Sequence, residues 1–209
     1  WYRLAAEQGA AEATAWLHLN AEQGVATAQH GLGVMYAEGR GVIQDETEAV
    51  QLYRSAAGQG YLAAQVTLGS MYAEGRGVAQ DDAEAVWWYR LAAEQEHADA
   101  QFTLGSMYLD GRGVAQDTNE AVRWYLLAAE QEHLSAQVTL GSMYAEGRGV
   151  AQDASEAVRL YLLAAERGEP EALTWIREAA NQGWAEAQAS LAGMYAEGRG
   201  VAADEFEAE

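Results

Sequence analysis

The sequence predicts an all-α solenoid of antiparallel helix hairpins, and three observations predict it. One stretch of text is written again and again: MYAEGRGVIQDETEAV from Met35, MYAEGRGVAQDDAEAV from Met71, MYLDGRGVAQDTNEAV from Met107, MYAEGRGVAQDASEAV from Met143, and a truncated copy from Met194. The copies keep a fixed period, since Leu32, Leu68, Leu104 and Leu140 are spaced by 36 residues; a period of this size marks stacked supersecondary units. Within a unit, Ala64, Leu68, Met71 and Tyr72 fall at helical spacing, and so do Ala85, Trp88, Tyr89, Ala92 and Ala93. Each unit therefore reads as two amphipathic helices, here called A and B.

Taken in order along one unit, helix A comes first and carries a glycine in its interior, at Gly69, Gly105 and Gly141. Glycine there costs about 1 kcal/mol against alanine, so its return must be a close approach of the neighbouring helix. Gly39, Gly75, Gly111, Gly147 and Gly198 follow the last turn of helix A, where a left-handed residue caps the free carbonyls. Helix B then opens on Asp45, Asp81, Asp117, Asp153 or Asp204, each followed three residues later by Glu48, Glu84, Glu120, Glu156 or Glu207. This is the capping-box spacing with aspartate as the cap, worth about 1 kcal/mol per helix. The repeated text is thus the turn of a helical hairpin.

Two units are short. Gly9 to Gly24 and Gly168 to Gly183 each span 15 residues, against 36 for Gly24 to Gly60. AAEATAWLHLNAEQG and EPEALTWIREAANQG begin like helix A and end like helix B, so each can form only one helix of about three turns. One solenoid over residues 1–209 is expected, with regular repeats over 25–168, shortened single-helix units at 10–24 and 169–183, and an incomplete repeat at 184–209.

On the text LGxMYxxGRGVxxD followed by EAVxWYxxAAEQG, preceded by AEAQ or AAQ, the chain resembles the Sel-one-like repeat family, relatives of the tetratricopeptide repeats. The resemblance implies a right-handed superhelix with helix A on the concave side. It also implies a non-enzymatic adaptor or scaffold that gathers other proteins. Many bacterial members carry a cysteine pair in each repeat, whereas this chain has no cysteine, which leaves its compartment open.

The charge narrows the partners. With 32 acids against 12 bases, a formal charge of −20 repels nucleic-acid phosphates and anionic membrane surfaces. No apolar run approaches the ~20 residues needed to insert a helix into a bilayer. The acids avoid YLAAQVTLGSMYA at 61–73 and crowd into turns and helix starts, which makes most of them a solvated outer surface.

Few residues suggest chemistry. The GRG loops lack the preceding strand and the following Lys-Ser/Thr of a phosphate cradle, so the arginines at 40, 76, 112, 148 and 199 are expected to pair with nearby acids or to cover apolar surface with their stems. His97 and His133, in equivalent EQEH segments, would stack on adjacent units about 8–10 Å apart, too wide for shared chelation. They are read with His18 and His30 as surface residues; no metal, cofactor or catalytic set is expected. In the same segments Glu96 and Glu132 replace the glycine of positions 24, 60, 168 and 183, which should strain or extend the end of helix B.

A binding surface is the stronger candidate. Subtracting the core positions of helix A leaves an uncharged stripe of His30, Val34, Ala37; Val66, Ser70, Ala73; Phe102, Ser106, Leu109; Val138, Ser142, Ala145; and Ala189, Gly193, Ala196. Two readings stand open: a shallow groove for a peptide or partner helix, or small residues that let helices A pack along the inner curve. On the first, Phe102 and Leu109 are the anchors, and a positively charged protein or peptide would complement the acidic shell. The alternative is self-assembly. Trp1 to Arg3 align with Trp88 to Arg90, and Asp204 to Glu209 with Asp81 to Val86, so the two ends read as halves of one repeat that could join head to tail in a ring or filament, unless the chain is a piece of a longer array.

Overall fold

The computed structural model describes residues 11–198, and among them every regular element is an α-helix. The ends expected to join head to tail lie outside the described residues, as do Arg199 and the Asp204 cap. The chain forms two compact units, divided after Gln116. Unit 1 holds α1 (Ala11–Glu22), α2 (Ala26–Glu38), α3 (Glu46–Gly58), α4 (Leu62–Glu74), α5 (Asp82–Ala93) and α6 (Ala98–Asp110). Unit 2 holds α7 (Thr118–Glu130), α8 (Leu134–Glu146), α9 (Ala154–Glu166), α10 (Pro170–Asn181) and α11 (Ala185–Glu197). Each helix packs on the next within its unit, the arrangement of a helical solenoid. Helices α2, α4, α6, α8 and α11 are helices A; α3, α5, α7 and α9 are helices B. The two shortened stretches form the single helices α1 and α10, 12 residues each.

Burial follows the helical spacing. Ala64, Leu68, Met71 and Tyr72 of α4 are buried, as are Ala85, Trp88, Tyr89, Ala92 and Ala93 of α5. The helix A glycines admit a helix B tyrosine: a Cβ on Gly33 would lie 2.8 Å from the Tyr53 ring, one on Gly69 3.1 Å from Tyr89, and one on Gly141 2.8 Å from Tyr161. Close approach of the partner helix is thus the reason for glycine, and the group that approaches is an aromatic face.

The helix ends refine the capping expectation. Asp45, Asp81, Asp117 and Asp153 each accept a backbone N–H from the glutamate three residues on, at 3.0–3.1 Å. At Asp45, Asp81 and Asp153 the reciprocal half of a capping box does not form. The Asp45, Asp81 and Asp153 backbone N–H groups donate to the carbonyls of Tyr36, Tyr72 and Tyr144 on the preceding helix A, each at 2.9 Å. That bond closes the hairpin and leaves the glutamates available, so Glu120 and Glu156 pair with Arg123 and Arg159 one turn along.

The GRG loops are joints between repeats. Gly39, Gly75, Gly111, Gly147 and Gly198 are left-handed caps. The second glycine lies against the start of the preceding helix B: a Cβ on Gly113 would stand 2.1 Å from the Asp82 carbonyl oxygen, and one on Gly77 2.3 Å from that of Glu46. The arginine between them reaches the same place, Arg112 to Asp82 at 2.7 Å and Arg76 to Glu46 at 3.4 Å. Arg40 and Arg148 pair with Glu38 and Glu146 beside them. Helix B arginines reinforce the stacking, since Arg54 and Arg90 donate to the hydroxyls of Tyr72 and Tyr108 on the following helix A.

At Glu96 and Glu132 the chain keeps the left-handed turn, with φ of 61° at each, so helix B is not extended there and the residue carries the strain. The histidines that follow are more than surface residues. His97 and His133 are half-buried N-caps whose Nδ1 atoms accept from the Ala100 and Ala136 backbone N–H groups at 3.2 Å.

Candidate functional site

Helix A presents its stripe because the opposite face is taken by the tyrosine and leucine core. In unit 1, His30, Val34, Ala37, Val66, Ser70, Ala73, Phe102, Ser106 and Leu109 are all half-buried, the exposure of residues that wall a groove without filling a core. His30 bridges successive repeats, its ring 5.5 Å from that of Tyr53 and 5.2 Å from that of Tyr61. Ser106 Oγ donates to the Phe102 carbonyl at 3.1 Å.

The stripe is more polar than its side chains suggest, because helix B tyrosines pass over the interior glycines and bring their hydroxyls to the helix A face. Ser70 donates to Glu74 at 2.9 Å and lies beside the Tyr89 hydroxyl. Burial, then the Glu74 carboxylate, pushes the Tyr89 phenol up, against the Ser70 hydroxyl and Arg112, which pull it down. The neutral phenol is therefore the form held there.

Unit 2 repeats this network and adds a wall. Ser142 donates to Glu146 at 2.9 Å and lies beside the Tyr161 hydroxyl. Val138 and Ser142 line a cleft of about 500 Å³ with Tyr161, Trp175, Glu169 and Glu171. The Trp175 ring stacks on Tyr161 with centroids 4.1 Å apart and planes 19° from parallel. Three carboxylates, Glu146, Glu169 and Glu171, face one arginine, Arg148, which stands 4.0 Å from Glu146. Burial, supported by Glu171 and Glu146 and opposed by Ser142, pushes Tyr161 up to about 12. Further along, Ala145 and Gly193 are half-buried, and Ala189 and Ala196 are exposed.

Sequence reading found Val138 and Ser142 but missed Tyr161, Trp175, Glu169 and Glu171. Tyr161 stands at the register of Tyr89 on the core face of helix B and is only 3% exposed; the others sit in or beside α10, where the broken repeat offers no equivalent to compare. The signal was present in EPEALTW, the one place where a proline, two carboxylates and a tryptophan interrupt the repeat. Among the described residues no group of histidine, cysteine and carboxylate side chains could hold a metal ion. None of the described helices is long and apolar enough to cross a membrane.

Hairpins of fixed period, left-handed glycine caps and an exposed helix A face define a helical repeat protein of the interaction class. The Sel1 repeat model matches residues 1–9, 26–61, 62–97, 98–133, 134–169, 169–184 and 185–209, and the chain belongs to the Sel1 repeat family. It is similar to a Sel1 repeat protein from Oxalobacter formigenes, with 33% identity, a TM-score of 0.67, and coverage of 89% of this chain and 83% of that one. It is also similar to c5321, a protective antigen of uropathogenic Escherichia coli with the SLR fold, at 33% identity and a TM-score of 0.64 over 94% of this chain. The chain spans 54% of that antigen's length. No curated protein sequence matches. Sel1 repeat proteins are typically non-enzymatic protein–protein interaction scaffolds.

Proposed function

We propose that the chain binds a positively charged peptide or protein segment along helix A. The observation that carries this is the unit 2 cleft, where Val138 and Ser142 meet a stacked Tyr161–Trp175 pair under an excess of carboxylates. A lysine or arginine head placed there gains from the aromatic faces and from Glu169 and Glu171 together. In unit 1 the matching surface is apolar, with His30, Val34, Val66, Ser70 and Ser106 beside the larger Phe102 and Leu109, and it suits the apolar side chains of an extended segment or a helix. Repeated small contacts along a stack supply avidity, so no single pocket needs to be deep.

Selection of ligands from a peptide display library, followed by calorimetry on the selected peptides, tests the reading. Basic peptides are expected to dominate, with binding weakened at least ten-fold by Trp175→Ala or Glu171→Lys and by Phe102→Asp or Leu109→Asp. Unchanged affinity in all four variants would remove helix A as the binding face.

A further inference from the structure

A second groove lies in unit 2 on the helix B side, between α7 and α9. It encloses about 470 Å³ and is walled by Leu126, Leu160 and Leu163, with Gln137, Arg159 and Arg167 around them. Two positions where the repeats differ from one another meet in it. The first is Leu160. Its equivalents 36 and 72 residues earlier are Trp124 and Trp88, both buried, while Leu52, 108 residues earlier, is again leucine. Leucine at this register leaves open the space that an indole takes in those repeats.

The second difference concerns a buried glutamine that helix A carries near its start. In unit 1, Gln29 and Gln65 donate to the Ala21 and Ala57 carbonyls, and their Oε1 atoms accept from Gln59 and Gln95 at 2.8 and 2.7 Å. Gln137 donates likewise to the Ala129 carbonyl, but the residue in the register of Gln59 and Gln95 is Arg167. Arg167 turns instead to the Glu132 carbonyl at 3.0 Å and the Glu132 carboxylate at 2.9 Å. Gln137, only 3% exposed, is left with its Oε1 unpartnered. A buried acceptor without a donor is destabilising, and a ligand that brings a donor removes that penalty.

We propose that this groove is a binding site for a tryptophan side chain on a positively charged segment of a partner protein. The indole supplies both missing features, a ring where Leu160 replaces tryptophan and an N–H for Gln137 Oε1. The charge follows from the rim, where Arg159 pairs with Glu156 at 2.6 Å and Arg167 with Glu132, leaving the carboxylate of Glu130 to face a cation. Unit 1 contains the corresponding groove between α1 and α3, about 300 Å³, lined by Leu52 and Gln29. There Gln59 already satisfies Gln29, so the smaller groove offers an indole no acceptor.

Calorimetry with acetyl-Lys-Trp-Lys-amide and acetyl-Lys-Leu-Lys-amide tests the site. The tryptophan peptide is expected to bind at least ten-fold more tightly. Leu160→Trp fills the groove with the chain's own indole and should reduce that affinity at least ten-fold. Arg167→Gln gives Gln137 an internal donor and should weaken binding several-fold. Both variants restore a residue that the fold already holds at the same register, so their melting temperatures should match or exceed the wild type; if Leu160→Trp fails to fold, Arg167→Gln decides alone. Phe102→Asp should leave this binding intact, which separates the site from the helix A surface. Equal affinity for the two peptides, unchanged binding in folded Leu160→Trp and Arg167→Gln, or loss of binding in Phe102→Asp would each overturn the assignment.

Discussion

Glu96 holds a backbone angle that glycine adopts at the equivalent Gly60, with φ of 61° against 84°. An L-residue in the left-handed region costs about 1 kcal/mol, and the Glu96 side chain is exposed, with nothing among the described residues paired to it to offset that cost. Glu96→Gly is therefore expected to raise stability by about 1 kcal/mol in urea unfolding; an unchanged or lower midpoint would contradict the strain. Tyr161 makes a different residue-scale prediction. Its pKa is raised from 10.0 to about 12, with burial the main cause. The fold thus favours the protonated phenol, a contribution fully present below the unfolded pKa and lost as pH rises through the folded one. Stability should fall between pH 10 and about 12 more steeply in the wild type than in Tyr161→Phe, as melting temperatures in that range would show.

At the scale of elements, the hairpin turn does two jobs with one short text. Its aspartate caps helix B with the side chain and ties to helix A with the backbone, so both helices share one fastening. Its GRG segment then clasps the previous repeat. Gly113 shows how tight that clasp is, since a Cβ there would overlap the Asp82 carbonyl at 2.1 Å and its φ of +69° already disfavours a side chain. Gly113→Ala should cost about 2–3 kcal/mol and loosen the α5–α6 joint. Hydrogen exchange would locate the effect: faster exchange at the N-terminal turn of α5 is expected, and a purely global change would argue against the joint. The hairpins were legible in the sequence because periodicity and caps are local signals. The clasp was not, because it pairs residues about one repeat apart, as in Arg112 with Asp82.

Across the whole molecule, the charge of −20 is placed where it does least harm to packing. Carboxylates sit at helix starts, in turns and on rims, and the buried polar side chains of the described core are uncharged glutamines. The shell favours cationic partners by long-range attraction, while the two proposed sites differ in what they recognise at short range. As proposed, the helix A face would take apolar side chains and a cationic head, and the helix B groove of unit 2 an indole. Both sites arise where one repeat differs from its neighbours, at Trp175 of the shortened unit and at Leu160 and Arg167 of the last full hairpin. A stack of identical repeats would bind uniformly, and these differences give it places of unequal affinity.

The amino-acid sequence alone determined the helical hairpins, the 36-residue period, the glycine and aspartate caps, the membership of the family and the uncharged stripe on helix A. Each is set by spacing within a single helix or turn, where neighbours in sequence are neighbours in space. Only the tertiary structure decided that Tyr161 reaches the helix A face over Gly141, that Trp175 stacks on it, and that Arg167 abandons Gln137. Those outcomes depend on which side chains two helices bring together. A repeated sequence states the common contact many times, but an exception shows its consequence only when its partner is in view.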